Sequence, residues 1–479
     1  MSPYIILLTL AAYFAVMFAV SRLSARKAGN ADFFNGGHSS GWGLVAIAMI
    51  GSCMSGVTFV SVPGMVGTSS FGYLQMCLGF IAGYLVIAFL LTPLYFRLGV
   101  VSIYQYLEQR FGQGSYRTGA WFFFLSKMTG ASVRLYLVCL ILQMLLFEPL
   151  GLPMWLNALV SVGICLIYTI RGGVKSIIWT DVLKIVCMGA AVLLCIGVVA
   201  KDLGGIHIQE RVFFFDDVRH PQFFWKQFLG GLFTVVATTG LDQDMMQRTL
   251  ACKDYRSSQK NLIVSVLLQT VVIALFLCLG ALLYPFAAAH GITQTGDRLF
   301  PEVATGGYLP LVAGIFFILG LSSSAYGAGG SALTSLTTSF TVDIVGTKGR
   351  SEEEITRLRK GIHWGMAGLM VACILIFNAF NNTSTIDAVY KLASYTYGPI
   401  LGLFAFGILT RYQVKDRWVP VVAVAAPLVC LVLHLHSQQW FGGYTFSYEL
   451  LPLNAALTFL GLLLIRRREP RKRSAESRP

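Results

Sequence analysis

Residues 171–184 read Arg-Gly-Gly-Val-Lys-Ser-Ile-Ile-Trp-Thr-Asp-Val-Leu-Lys, and this stretch guides the interpretation of the whole chain. It begins polar and basic, then enters a long apolar run that ends near Ala200. Asp181 and Lys184 therefore lie inside a hydrophobic segment. A carboxylate in such a segment is costly, so Asp181 should face the protein interior or a water-filled cavity and have a partner. The simplest partner is Lys184, one helical turn further along.

The composition indicates a membrane protein. The chain has 479 residues, of which 56% are hydrophobic and 12% charged, and its mean hydropathy is +0.68. A soluble domain has about 25% charged residues. Long apolar runs that must satisfy their own backbone hydrogen bonds in lipid form helices. The net charge of +14 comes with no basic patch interleaved with aromatic residues, so we expect no nucleic-acid partner. We also find no nucleophile–base or metal constellation, which argues against an enzyme.

The apolar runs predict thirteen helical spans. Each span needs about 20 apolar residues. The approximate limits are 3–21, 44–68, 72–96, 118–147, 154–170, 176–200, 222–241, 261–286, 309–340, 362–379, 391–410, 418–436 and 450–465. An odd number places the two termini on opposite sides. Most of the 36 lysine and arginine residues fall in segments on the side of the C-terminus. The chain is therefore expected in the cell membrane as a multi-pass protein, with its N-terminus outside and its C-terminus cytoplasmic.

Two of these spans contain internal glycine clusters. The second has Gly51-Ser-Cys-Met-Ser-Gly56 and then Pro63-Gly64, and the seventh has Gly230-Gly231 and then Ala237-Thr-Thr-Gly240. They lie five spans apart, which suggests two halves of five helices that each begin with a broken helix. Such breaks free backbone groups to hold ions and substrates near the middle of the bilayer. The alternative is that these glycines only allow close helix packing.

Three segments resemble motifs of one family. Residues 172–184 resemble the signature of the sodium:solute symporters, which include sodium–glucose, proline and sialic acid cotransporters. Gly240-Leu-Asp-Gln-Asp-Met-Met-Gln-Arg248 and Ser331-Ala-Leu-Thr-Ser-Leu-Thr-Thr-Ser-Phe-Thr-Val-Asp343 resemble two further motifs of that family. The resemblance implies an all-α polytopic membrane protein with a LeuT-like five-plus-five inverted repeat, one extra helix before it and two after it.

One transporter domain would then fill the chain, 1–479. The parts are an extra N-terminal helix (3–21), a first repeat (44–200), a second repeat (222–410), two C-terminal helices (418–465) and a basic cytoplasmic tail (466–479).

The resemblance also assigns cation ligands. In the family, one sodium ion lies between backbone carbonyls at the break of the first core helix and hydroxyls on the eighth. The corresponding groups here are the carbonyls of Gly51 and Met54 and the hydroxyl of Ser324. A second cation site of some members would use Asp181 with Ser331. Sodium is the expected coupling ion, and neither another metal nor a cofactor is expected.

The chain departs from the family at the first of these sites. Gly327 and Ala328 stand where members usually have two adjacent serines, and neither side chain supplies an oxygen. Ser322, Ser323 or Ser331 could substitute together with water. Otherwise the main sodium site is weakened or lost, and Asp181 could carry a proton instead.

Arg134 is the natural carboxylate binder within the spans, because its guanidinium can form two parallel hydrogen bonds. It resembles the substrate-binding arginine of the sialic acid symporters, and Ser55, Thr58 and Gln75 match substrate-contacting positions of the same branch. The alternative for Arg134 is a structural ion pair, for example with Asp181. Lys127 is expected to extend its ammonium toward the cytoplasmic surface.

These features together predict a secondary active transporter. It would import a small polar solute that bears a carboxylate, such as a sugar acid, by cation-coupled alternating access. The alternatives are a proton-coupled or uncoupled transporter, or a transporter-like solute sensor. The expected partners are the solute and the lipid bilayer, with no obligate protein partner.

Overall fold

The computed structural model describes residues 2–24, 41–100, 102–206, 213–217, 220, 222–380, 385–442, 444, 446 and 448–467, with the backbone alone at 171–176 and 385–390. These residues are helical almost throughout. The α-helices are α1 (Pro3–Ser24), α2 (Trp42–Cys53), α3 (Gly56–Ser69), α4 (Tyr73–Val86), α5 (Thr92–Leu98), α6 (Gln105–Arg110), α7 (Gln113–Leu142), α8 (Met154–Asp202), α9 (Phe224–Val235), α10 (Gln243–Leu250), α11 (Tyr255–Ala289), α12 (Leu299–Thr305), α13 (Leu311–Ser339), α14 (Glu352–Phe380), α15 (Thr385–Leu409), α16 (Val419–Leu435), α17 (Ser437–Trp440) and α18 (Leu450–Leu464).

Short irregular elements complete the fold. Four π-helical segments (Ile87–Leu91, Gln143–Phe147, Val236–Gly240 and Phe340–Val345) continue α4, α7, α9 and α13. Two 3-10 turns are formed by Gly296–Arg298 and Asp416–Trp418. The strands β1 (Gln413–Val414) and β2 (Arg466–Arg467) pair antiparallel and hold the end of α18 beside the start of α16.

The helices confirm an all-helical polytopic membrane protein. Within the described residues, nine helices are long and apolar enough to cross a membrane, or ten when the bent pair α2–α3 is counted as one span. Met154–Ile170 and Leu450–Leu464 are shorter apolar helices. The outer surface carries large apolar side chains, such as Leu8 (71% exposed), Phe380 (81%) and Leu464 (88%). This is the surface expected of helices that face lipid.

The second predicted span is broken where the glycine cluster lies. The axes of α2 and α3 differ in direction by 61°. Met54 is extended, with φ −86° and ψ 109°, and its N–H still donates to the carbonyl of Ile50 at 3.0 Å. Gly51 is required here, because a Cβ on it would lie 2.6 Å from the backbone oxygen of Asp181. The break therefore packs directly against α8.

The seventh predicted span is also interrupted, but later than Gly230-Gly231. Those two glycines continue α9, and a Cβ on Gly231 would collide with the backbone oxygen of Met76 in α4. Close helix packing therefore explains this glycine pair. The interruption follows the π-helical segment Val236–Gly240, and Asp242 begins α10 by accepting the N–H groups of Asp244 and Met245.

Helix α8 folds back on itself between Ser161 and Ala191. A straight helix of its 49 residues would measure about 74 Å, more than twice the thickness of a bilayer core. Ser161 contacts Tyr326 at 3.2 Å, whereas Ala191 lies 3.3 Å from where a Cβ on Gly320 would be. Ser161 and Ala191 are thirty residues apart in α8, yet they contact positions of α13 that are less than two turns apart. Its two halves are the predicted fifth and sixth spans.

Candidate substrate and ion site

A cavity of about 140 Å³ lies between the two helix breaks. Met54 and Ser55 line it from the first break, and Thr239 and Asp242 from the second. Helices α4, α7, α11, α13 and α15 complete the wall. The breaks that the glycine clusters predict therefore meet at one buried space, as in a transporter whose site is formed by discontinuous helices.

Five of the predicted site residues line this cavity: Met54, Ser55, Thr58, Arg134 and Ser331. They come from α2–α3, α7 and α13. The N–H of Ser55 donates to the hydroxyl of Thr58 at 3.4 Å, which stabilises the first turn of α3. The structure thus brings together residues that are up to 277 positions apart in the chain, between Met54 and Ser331.

Arg134 is half-buried and lines the cavity. No hydrogen bond or ion pair of its guanidinium is found within the described part of the chain. The expected alternative, a structural pair with Asp181, does not occur, because Asp181 pairs with another residue. Arg134 therefore presents a positive charge toward the cavity.

Lys127 does not extend to a membrane surface as expected. Its side chain is 6% exposed, and its ammonium lies 3.2 Å from Asp242 Oδ1 and 2.6 Å from Asp244 Oδ2. Asp242 also accepts a hydrogen bond from the hydroxyl of Tyr397 on α15. The expectation was wrong because the two aspartates, which sequence spacing does not bring near Lys127, provide a stronger interaction inside the protein.

Asp181 is fully buried, and Arg248 is its partner rather than Lys184. The Arg248 guanidinium lies 3.2 Å from Asp181 Oδ2, and the hydroxyl of Ser52 donates to the same oxygen at 2.8 Å. Arg248 also lies 2.9 Å from Asp244 Oδ1 and donates to the hydroxyl of Ser331. Ser331 in turn donates to Asp244. Asp181 therefore belongs to a buried ionic network.

Asp242, Asp244 and Arg248 were not predicted from the sequence as site residues. Arg248 was placed in a cytoplasmic segment, but it is 1% exposed. One available signal was the spacing of Asp244 and Arg248, which lie four positions apart and so share one face of a helix.

The other predicted residues lie outside the cavity wall. The Gln75 amide donates to the carbonyl of Gln222 at 2.9 Å and accepts the N–H of Phe215 at 3.1 Å. The Ser324 hydroxyl is fully buried and donates to the carbonyl of Leu321 at 2.7 Å. Gly51 contacts Asp181 through its backbone. Their assignments as ligands remain predictions.

Two positions of the expected sodium site, Gly327 and Ala328, supply no side-chain oxygen. A sodium ion replaces its hydration shell with several oxygen atoms. Ala328 presents a methyl group to the cavity, and Gly327 has no side chain. The space beside Gly327 contains the side chain of Lys184, whose Cδ lies 3.0 Å from where a Cβ on Gly327 would be.

Sequence comparison gives a family match over most of the chain. The profile of the sodium:solute symporter family matches residues 33–417. The sodium/sialic acid symporter NanT of Aliivibrio fischeri is 27% identical over 433 residues, covering 84% of this chain and 83% of that protein. The human sodium/iodide cotransporter is 26% identical over 401 residues, covering 79% of this chain and 61% of that protein. The human sodium-coupled monocarboxylate transporter 2 is 24% identical over 413 residues, or 82% of this chain and 65% of that protein.

Two solved structures share the fold. One is a Na⁺-coupled sialic acid symporter in a substrate-bound, outward-open state, with a TM-score of 0.81 at 18% identity over 97% of this chain and 99% of that one. The other is Mhp1, a nucleobase–cation symporter in a closed conformation, with a TM-score of 0.51 at 15% identity over 89% of this chain and 91% of that one. The helices of this chain are therefore arranged as in LeuT-like transporters.

Proposed function

The chain belongs to the sodium:solute symporter family, whose members are transporters rather than enzymes, and from that premise we propose that it carries a small carboxylate-bearing solute across the cell membrane. The observation on which this proposal depends is the position of Arg134. Its guanidinium lines the cavity between the two helix breaks with no ion-pair partner in the described structure. A carboxylate of the solute would supply that partner through two parallel hydrogen bonds.

The charges around the cavity support an anionic solute. Asp181, Asp242 and Asp244 are buried, and so are three cations close to them, Lys127, Lys184 and Arg248. These six charges balance. Arg134 adds one positive charge for which this cluster holds no counterion. A half-buried charge without a partner is unfavourable, so binding of an anion neutralises the site.

The solutes named for the relatives are compatible with this chemistry. One is named for sialic acid, one for monocarboxylates and one for iodide. Each of these solutes is an anion at neutral pH. Within this class we favour a carboxylic acid for the present chain, because the planar fork of Arg134 matches a carboxylate better than a spherical ion.

Transport would proceed by alternating access around this site. Thirteen spans follow when Met154–Ile170, Leu450–Leu464 and the helix through Phe224–Gly240 are added to the ten candidates. The excess of lysine and arginine on the side of the C-terminus supports a cytoplasmic C-terminus. The family predicts sodium as the coupling ion, and proton-coupled or uncoupled transport is the second candidate because Gly327 and Ala328 supply no oxygen ligands.

Uptake into proteoliposomes tests the proposal. The probes are N-acetylneuraminate and pyruvate as carboxylates and glucose as a neutral solute, each measured in sodium, potassium and proton gradients. Accumulation of a carboxylate but not of glucose is expected. Arg134→Ala should abolish that uptake, since truncating one partner of a charged pair costs about 2–5 kcal/mol of binding.

The matched control is Arg256→Ala, which removes an exposed arginine beside Tyr255 and should leave uptake unchanged. Equal uptake by wild type and Arg134→Ala, or uptake of glucose alone, would refute the assignment of a carboxylate solute.

A further inference from the structure

Lys184 has no exposed surface, and its ammonium has no hydrogen-bond partner within the described residues. The same is true of the second oxygen of Asp181, Oδ1, because Ser52 and Arg248 both interact with Oδ2. A buried ammonium needs nearby negative charge to remain charged. Its electrostatic neighbours are Asp181, Asp244, Arg248 and the thiol of Cys53. Asp181 Oδ1 lies beside the same Gly327 position as the ammonium, and the Asp181 backbone packs against Gly51 of α2, so the ammonium lies close to the first helix break.

Gly327 provides the space for this side chain. A Cβ on Gly327 would lie 3.0 Å from Lys184 Cδ, 3.5 Å from Asp181 Oδ1 and 3.7 Å from Lys184 Nζ. A side chain at this position would therefore press against the lysine, which would have to shift. Gly327 has no side chain, and the side chain of Lys184 fills the space that this leaves. The ammonium lies beside Gly327, one of the two positions at which the family resemblance expects a serine near the first sodium ion.

The second expected cation position is also held by a side chain of the protein. Asp181 and Ser331 are the groups that would form it, and the Arg248 guanidinium contacts both. Each of the three buried aspartates of the cluster thus has a cation of the chain close to it. No carboxylate remains to compensate the charge of an added sodium ion.

We propose that the ammonium of Lys184 is a covalently held cation that replaces sodium beside the first helix break, so that solute transport by this chain does not require sodium. Gly327 is the second determinant, because it leaves the room that Lys184 occupies. This inference rests on the proposed function and specifies its ion dependence. The family resemblance predicts sodium coupling, and Lys184 and Gly327 are the residues that explain the difference in this chain.

The first test measures the Tm of the purified chain against sodium concentration, with potassium at equal ionic strength. Wild type should show the same Tm in both salts. An ion that binds the folded state stabilises it in proportion to the logarithm of its saturation, so a sodium-specific rise of about 2 °C or more would overturn the proposal. This measurement needs neither a variant nor a known solute.

The second test introduces the missing sodium ligands. Lys184→Ala with Gly327→Ser removes the ammonium and adds a hydroxyl close to Asp181 Oδ1. This double variant should gain a sodium-specific rise in Tm that wild type lacks. Lys201→Ala, at the exposed end of the same helix, is the control and should gain none. If the double variant fails to fold, Lys184→Ala alone, which removes the ammonium and opens the space beside Gly327 and Asp181, replaces it, and a smaller sodium-specific rise in Tm is expected. A folded variant without any response to sodium would argue against Lys184 as the determinant.

Uptake then separates this inference from the proposed function. A coupling ion typically changes the affinity for the solute about 5–150-fold. Carboxylate uptake by wild type should be equal in sodium and potassium. Uptake that depends on sodium would overturn the inference and leave the proposed function intact. No carboxylate uptake under any ion gradient would contradict the proposed function itself, while the Tm measurements would still decide whether Lys184 excludes sodium.

Discussion

Arg248 of α10 forms an ion pair with Asp181 of α8 at 3.2 Å, and both side chains are buried. Asp181 lies in the first sequence motif and Arg248 ends the second, so this pair joins the two stretches that suggested the family. It also connects both helix breaks, because Asp181 accepts from Ser52 in α2 and α10 begins at the second break. A charge change at either residue should therefore affect the whole site.

Arg248→Ala is expected to destabilise the chain strongly. The substitution leaves Asp181 and Asp244 without their shared cation, and removing one partner of a buried ion pair costs about 3–5 kcal/mol. The free energy of unfolding in detergent measures this loss. Arg256→Ala serves as the exposed control and should leave the unfolding transition where it is in wild type. Equal stability of the two variants would show that the Arg248 network carries little energy.

Lys127 and Asp242 should behave as a coupled pair. Lys127→Met leaves Asp242 and Asp244 with one fewer cation, and Asp242→Asn leaves Lys127 with one fewer anion. The double variant restores the charge balance, so its loss of stability should be smaller than the sum of the two single losses. Residues in contact typically show coupling of about 0.5–3 kcal/mol in such a cycle. Additive losses would contradict the contact between Lys127 and Asp242.

Gly231 is predicted to be intolerant of any side chain. Gly231→Ala places a Cβ against the backbone oxygen of Met76, which cannot move without shifting α4 away from α9. We expect a lower Tm and poorer expression. Gly361→Ala is the matched control, because position 361 is also helical and has no atom within 4 Å of its Cβ position. That control should keep the Tm or raise it, since alanine favours helix more than glycine. A tolerated Gly231→Ala would disprove the close α4–α9 contact.

Several parts of the site were predictable from local sequence. The cluster Gly51–Gly56 predicted the break between α2 and α3, because glycine allows both an irregular backbone and close packing. Ser55 and Thr58 were identified by the family resemblance, which matches them to substrate-contacting positions. Arg134 was identified as an arginine within an apolar span that can bind a carboxylate through two hydrogen bonds, and by the same resemblance.

The ionic partners were not predictable in this way. Lys127 lies 115 positions from Asp242, and Asp181 lies 67 positions from Arg248. No periodicity in the sequence relates such positions, since only the folding of α8 and the second break bring them together. Hydropathy placed Arg248 outside the membrane because α10 is short and polar, whereas the structure buries it.

The departure at Gly327 was visible in the sequence, but its meaning was not. A missing hydroxyl suggests only a weakened ion site. The distance between Lys184 and Gly327 shows that another side chain fills the space, and that relationship requires the packing of α8 on α13. The seventh span shows the opposite case, in which the glycine pair Gly230-Gly231 suggested a break and proved to be a packing contact.

The central claim is that Arg134 makes this cavity a carboxylate site, and direct binding to the purified chain tests it without any assumption about coupling. Calorimetric titration would compare pyruvate and N-acetylneuraminate with their uncharged amides, using wild type and Arg134→Ala. The account predicts that wild type binds at least one of the acids, that the matching amide binds far more weakly, and that Arg134→Ala removes this discrimination. Equal binding of acid and amide by wild type, or discrimination that survives in Arg134→Ala, would contradict it.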